Sequence, residues 1–311
     1  MPSLHPELAR AQYLPTPPVR RSTVRLFQRL TRGLRPGKTP QDLVIEDLTV
    51  PGAEGAPPVG LRVYRPRSLA RPAPALLWAH GGGYVMGSPV QDEAGSIAFA
   101  RELGITVVSL RYRLAPQHPA PAALEDAYSA LVWVSGNAEE LLVDPRRIAI
   151  GGASAGGGLA AALALLCHDR GGPDPVFQLL VYPMLDDRTV LRTDMDTSGV
   201  RLWSPANNRY AWGAYLGRAP GGEGISPYAA PARREDLGGL PPAWIGVGTA
   251  DLFHDEDTVY AERLRAAGVP CELTVVPGAF HGFNAGFPRT GVAQRFREQQ
   301  VRALREALYA G

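Results

Sequence analysis

Lysine is almost missing from this 311-residue chain. Lys38 stands alone against 31 arginines. Cysteine is scarce too. Cys167 and Cys271 cannot build a disulfide framework, and each sits in an apolar run, which predicts buried free thiols. No run of roughly 18 apolar residues occurs, so no stable membrane insertion is expected. The opening stretch MPSLHPELARAQYLPTPPVRR lacks an apolar h-region, which argues against a secretory signal and makes a soluble cytoplasmic protein the expectation. No His/Cys cluster has metal-ligand spacing, and His254 beside Glu256 makes no H-E-x-x-H, so neither metal nor cofactor is expected. Net charge is only +2, which gives no whole-chain argument for nucleic acid or an acidic partner.

What is present is ordinary globular composition, 45% hydrophobic and 20% charged, which excludes wholesale disorder. The length suits one large α/β domain or two smaller ones. Six short apolar runs recur: 75–79, 106–110, 147–151, 177–182, 243–248 and 272–276. Near-continuous apolar strands of this kind belong in a parallel sheet covered on both faces. Helical patterns lie between them at about 120–136, 154–169, 255–267 and 291–309. Val259 and Leu264 mark the third, closed by Gly268. Phe296, Val301, Leu304 and Leu308 mark the fourth. Two earlier runs, 43–50 and 61–64, flank a Pro/Gly-rich turn and read as an antiparallel edge hairpin. The sum is an eight-stranded, mostly parallel sheet with helices on both faces. Two segments break the alternation. Residues 1–40 hold two short helical patterns split by PTPP. Residues 186–225 hold Trp203, Trp212 and Tyr215 at helical spacing and no strand. Helices inserted over strand ends commonly form a lid.

The strongest local signal is Gly152-Ala153-Ser154-Ala155-Gly156, between a strand and an Ala/Leu-rich helix. That is the context of a nucleophile elbow, where the turn is too tight for side chains at the glycines and the serine projects above the sheet. His80-Gly81-Gly82-Gly83 follows another strand, and consecutive glycines let backbone amides aim at one point. Acyl transfer needs such donors for its oxyanion, and the amides of Gly82, Gly83 and Ala155 are the candidates. A phosphate loop fails as the alternative, because no complete G-x-G-x-x-G follows a strand and Lys38 sits in no P-loop. His80 reads as structural. A serine hydroxyl needs a base, and the base an orienting carboxylate, in the order Ser, acid, His. Past Ser154 only His168, His254 and His281 remain. His168 lies too far along the helix, whereas His281 sits just past a strand in FHGF. The acid after the preceding strand is Asp251, with Asp255 and Asp257 as rivals, Asp255 reading more simply as a helix N-cap.

These motifs resemble the hormone-sensitive-lipase-like carboxylesterases of the α/β-hydrolase fold, over residues 40–310. They are HGGGYVMGS at 80–88, YRLAPQHPAPAALEDAY at 112–128, DPRRIAIGGASAGG at 144–157, YPMLDD at 182–187, DLFHDED at 251–257 and FHGF at 280–283. The resemblance implies Ser154 as nucleophile, His281 as base, Asp251 as its orienter, and the three amides as oxyanion hole. It implies a catalytic domain at 41–185 and 226–311 under a helical cap at 1–40 and 186–225. One departure is Ala153, where the family usually has Asp, Glu or Thr. Arg113, Asp126 and His118 are expected to brace the oxyanion loop. Tyr84, Trp203, Tyr210 and Phe283 are the candidates to line an apolar pocket. The substrate expected is a small-molecule ester of short to medium chain, with no nucleic acid partner; the family often pairs through its last strand and helix, which leaves a homodimer open. An amidase or arylformamidase, or an interfacial lipase, would carry the same triad. A ligand-binding receptor on this fold would have lost the catalytic histidine, which is present here.

The arginines are unevenly placed. Residues 8–41 carry seven of them plus Lys38 and no acid, a charge of +8, which leaves −6 on the remainder. Val24, Phe27, Leu30 and Leu34 recur at roughly helical spacing, which predicts an amphipathic helix with its arginines on the opposite face. A solvated outer face of the cap is the plain expectation; an orienting patch for anionic surfaces or lipid is the sharper one.

Overall fold

The computed structural model describes residues 4–309. Its strands are β1 (Leu43–Val50), β2 (Val59–Pro66), β3 (Ala73–Ala79), β4 (Thr106–Arg111), β5 (Val143–Ala153), β6 (Phe177–Val181), β7 (Ala243–Gly248) and β8 (Cys271–Val276). They form one sheet in the order β1-β2-β4-β3-β5-β6-β7-β8. β2 runs antiparallel to both β1 and β4, and every other pairing is parallel. Each apolar run of the sequence is thus a strand. Those in mid-sheet, such as β3, β6 and β7, are buried at every position because helices cover both faces. β8, at the edge, is buried at only one position, and Cys271 there is half-buried rather than enclosed.

The helices are α1 (Val24–Arg32), α2 (Glu93–Leu103), α3 (Ala122–Gly136), α4 (Ala155–Arg170), α5 (Pro205–Leu216), α6 (His254–Ala266), α7 (Phe283–Gly286) and α8 (Gly291–Tyr309). α2 and α8 cover one face, with Phe99, Phe296 and Leu304 against Leu76, Val107 and Trp244. α3, α4 and α6 cover the other, with Leu131, Leu163 and Leu264 against Leu77, Val108 and Ile245. Successive residues from Ala75 to Ala79 in β3, and from Ala243 to Ile245 in β7, alternate between these two cores, as a pleated strand requires. α6 stops at Ala266 and the chain turns away at Gly268 (φ +79°), as expected, but Val259 on the helix is exposed. Among the described residues no helix is long and apolar enough to cross a membrane.

The segments outside the alternation divide differently from the expectation. Pro6–Tyr13 is a 3-10 helix that packs on the α2/α8 side of the sheet, because Leu8 and Ala11 are buried in that core and Glu7 accepts from the Val292 amide at the start of α8. α1 instead joins α5 through the loop before it: Asn207 accepts from the Val19 amide (2.8 Å) and donates to the Pro17 carbonyl (3.1 Å). α5 begins where Ser204 Oγ caps the Asn207 amide and ends at Gly217 (φ +65°). Trp203 therefore lies just before the helix. Only Trp212 and Tyr215 of the three aromatics ride on it.

Candidate active site

Ser154 sits between the end of β5 and the first turn of α4, at φ +58° and ψ −121°. A non-glycine residue reaches that region only under constraint. The constraint is visible. A Cβ on Gly152 would collide with the Gly156 carbonyl, and one on Gly156 with the Ala79 carbonyl of neighbouring β3. Both glycines are required for the chain to turn within the space between sheet and helix. The Ser154 amide donates to the Val181 carbonyl (2.9 Å), and the Ser154 carbonyl accepts from Gly158 and Met184 (both 3.0 Å). The backbone is held on each side, and only the hydroxyl is left to act.

The loops after β7 and β8 bring the other two groups to that hydroxyl. Ser154 Oγ lies 2.8 Å from His281 Nε2. His281 Nδ1 lies 2.9 Å from Asp251 Oδ2 and 3.1 Å from Oδ1. Asp251 Oδ1 also accepts from the Phe253 amide (3.0 Å), which fixes the carboxylate. The imidazole is set by the edge of Tyr182 (4.7 Å between centroids) and by Phe253 (5.0 Å, near perpendicular). All three residues are at most 7% exposed. A hydroxyl, an imidazole and a carboxylate in this line can pass a proton from oxygen to nitrogen while the carboxylate stabilises the imidazolium. Asp255 and Asp257 stand elsewhere. Asp255, in the first turn of α6 rather than at its N-cap, pairs with Arg192 and His254. Asp257 is fully buried, with neither carboxyl oxygen bonded among the described residues; burial, aided by the charges of Glu256 and Asp251, pushes its carboxyl well above the usual range.

The glycine loop after β3 lies beside Ser154. Gly82 and Gly83 have φ of +123° and +61°, and a Cβ on the first would strike the Met86 carbonyl. The amides of Gly82, Gly83 and Ala155 donate to no acceptor among the described residues, and α4 begins at Ala155. Free amides at a helix N-terminus favour negative charge. His80 supports the loop and lies outside the triad. Its Nδ1 reaches the Gly81 carbonyl (2.8 Å), its ring stacks on Tyr112 (4.3 Å), and Tyr112 Oη donates to the His80 carbonyl (2.8 Å). Burial pushes its pKa down to about 4, so the ring is neutral and Nδ1–H is the donor. Arg113 braces the turn that follows, with Asp126 accepting from both its guanidinium (2.8 Å) and its amide (2.8 Å). His118 takes no part: its side chain is exposed and only its amide bonds, to the Leu114 carbonyl.

The four pocket candidates separate. Trp203 approaches the site, 6.5 Å from the His281 ring, with its indole edge against Gly83. Tyr210 is half-buried on α5. Tyr84 is enclosed, stacked on Tyr215 at 3.8 Å. Phe283 is fully buried and packs on Phe296 at 5.0 Å. On the α2/α8 side, next in the chain to Ser154, lies a cavity of about 390 Å³ whose wall includes Ala153, Tyr182, Asn284, Phe99, Asp92 and Gln300. The alanine at 153 leaves it room. Tyr182 Oη donates to Asn284 (2.8 Å) across one wall, and the Gln300 carboxamide nitrogen has no partner among the described residues.

Two carboxylates that sequence reasoning passed over hold the 186–225 segment in place. Glu256 accepts from the amides of Leu185 (2.7 Å) and Asp186 (3.0 Å) and from the Thr189 hydroxyl, and burial pushes its carboxyl well above the usual range. Asp187, fully buried, accepts from Arg233 (2.5 Å) and from the Gly221 amide (2.5 Å). Both stand in motifs legible as motifs, YPMLDD and DLFHDED, but nothing local separates a clamping carboxylate from a solvated one.

A profile of the α/β-hydrolase fold family matches residues 76–285. In sequence the chain is similar to the carboxylesterase NlhH of Mycobacterium tuberculosis, 38% identical over 288 residues, covering 89% of this chain and 88% of that one. It is also similar to the esterase LipI of the same organism, 39% identical over 249 residues, covering 78% and 75%. In structure it is similar to a bacterial heroin esterase, with a TM-score of 0.88 at 38% identity, covering 99% of this chain and 98% of that one.

Proposed function

The chain belongs to the hormone-sensitive-lipase-like carboxylesterases of the α/β-hydrolase family, and on that footing we propose that it hydrolyses short- to medium-chain esters through an acyl-enzyme on Ser154. His281 Nε2 takes the hydroxyl proton as Ser154 Oγ attacks the ester carbonyl. The amides of Gly82, Gly83 and Ala155 receive the oxyanion. His281 returns the proton to the departing alcohol. Water, deprotonated by the same imidazole, then releases the acid and restores the serine. Asp251 holds the imidazole in its tautomer throughout.

The observation that carries this reading is the continuous hydrogen-bonded line from Ser154 Oγ through His281 to Asp251, beside amides with no acceptor. The cavity next to Ala153 supports the chain-length part, since its volume admits one modest arm of an ester. We assign α1 and residues 186–225 to a cap, with 41–185 and 226–311 as the body and Pro6–Tyr13 kept with the body. A homodimer through edge strand β8 and α8, and a cytoplasmic location, belong to the same proposal.

The test is a chain-length series of nitrophenyl esters run on wild type and on Ser154→Ala. The expected outcome is a maximum among short to medium chains and a loss on the order of 10⁶ in kcat for the variant. Wild-type activity in Ser154→Ala would overturn the mechanism, and a maximum at long insoluble esters would move the substrate class to lipids.

A further inference from the structure

The eight cations of residues 8–41 are all exposed, and none forms an ion pair among the described residues. That sets them apart from the arginines of the body, which commonly meet carboxylates: Arg62 with Asp47 and Glu93, Arg113 with Asp126, Arg233 with Asp187, Arg234 with Asp169. α1 runs through the middle of this unpaired patch. Its outward side carries leucines as well. Leu26 is 56% exposed, Leu30 59%, and Leu34, just past the helix end, 43%. Arg25, Arg29 and Arg32 stand beside them.

Of the four residues expected inward, Val24 is buried and Phe27 packs against the core, but Leu30 and Leu34 face outward and Gln28 is buried in their place. Gln28 Nε2 donates to the carbonyls of Val85 (2.9 Å) and Ala115 (3.0 Å), and Thr31 Oγ1 accepts from the Gly87 amide (3.1 Å). Turning the leucines inward would break all three bonds, so they are committed to the outside.

We propose that the outward face of α1 is a docking surface for anionic lipid, with Leu26, Leu30 and Leu34 entering the interface and the surrounding arginines meeting the headgroups. Aliphatic side chains ringed by unpaired cations match a surface that is apolar beneath and negative above. A second copy of the chain would set +8 against +8. Nucleic acid would satisfy the charge but not the leucines, since base stacking calls for aromatic side chains and α1 exposes none. The proposal goes beyond ester hydrolysis and does not depend on it.

The experiment is co-sedimentation of the full-length protein with phosphatidylcholine vesicles, with and without phosphatidylglycerol. Binding is expected only with phosphatidylglycerol, falling as salt is raised. Arg25→Gln/Arg29→Gln/Arg32→Gln should lose about fivefold in partitioning per arginine, about 10² in all. Leu26→Ser/Leu30→Ser should also weaken binding, and both variants should keep wild-type turnover of a soluble nitrophenyl ester. No binding to anionic vesicles at low salt would overturn the proposal. So would a leucine variant that binds like wild type, a preference for single-stranded DNA over vesicles, or a dimer that the leucine variant converts to monomer.

Discussion

The indole edge of Trp203 rests on Gly83 so closely that a Cβ on the glycine would collide with it. One residue would offer an amide to the oxyanion and the other closes the space above it. Gly83→Ala meets both the indole and a φ of +61°. Its kcat on a short nitrophenyl ester should fall about 10²–10³, as for loss of one oxyanion donor. Trp203→Leu does the opposite to space. It should raise the kcat/KM ratio of branched over acetyl esters by about tenfold, the scale of a pocket enlarged by a few methylenes. An unchanged ratio would remove Trp203 from the substrate's path.

The cavity beside Ala153 gives a second handle on specificity. Ala153→Leu fills part of its 390 Å³ without touching Ser154 Oγ. The ester chain-length maximum should move to shorter chains, with kcat on acetate esters kept within about tenfold. A uniform loss across the series would mean that the substitution disturbs the elbow instead.

Arg113 and Asp126 make a case of stability without chemistry. Arg113→Ala leaves a carboxylate that is 3% exposed without its partner. Breaking such a pair costs about 3–5 kcal/mol. Urea denaturation should show that loss, while kcat of the folded fraction at low temperature changes little. A large kcat effect with intact stability would place Arg113 in the reaction.

His80 predicts a pH dependence with a definite sign. Its folded pKa is about 4, pulled down by burial, against about 6.5 in the unfolded chain. Between those values the unfolded chain binds the proton and the folded one does not, so stability rises with pH across the window and the contribution vanishes below it. Relative to His80→Gln, wild type should gain about 3 kcal/mol between pH 4 and 7. Parallel stability curves for the two would show that His80 keeps its ordinary basicity in the fold.

How much of this was legible follows from where each signal lives. Strands and elbow were readable because their determinants are local: an apolar run covered on both faces, two glycines around a serine. The grouping of Ser154, Asp251 and His281 was readable because each follows a strand whose place in the sheet the fold dictates. Facing was not. α1 turned Gln28 inward because two carbonyls, 57 and 87 residues away, needed a donor. Phe283 was one of four pocket candidates, but its ring packs on Phe296 of α8. Trp203 kept helical spacing from Trp212, yet Ser204 and Pro205 started the helix just after it. Such choices are made by partners distant in the chain, which no local pattern records.

The glycines of the elbow carry one more consequence, which concerns motion. With no side chain at Gly152 or Gly156, α4 rides directly on the backbone of β3 and β5, and no soft layer separates them. The serine cannot drift unless mid-sheet drifts with it. The position of the Ser154 hydroxyl is thus set by backbone packed on backbone, while the stretch that carries Trp203 is held by the side chains of Glu256 and Asp187.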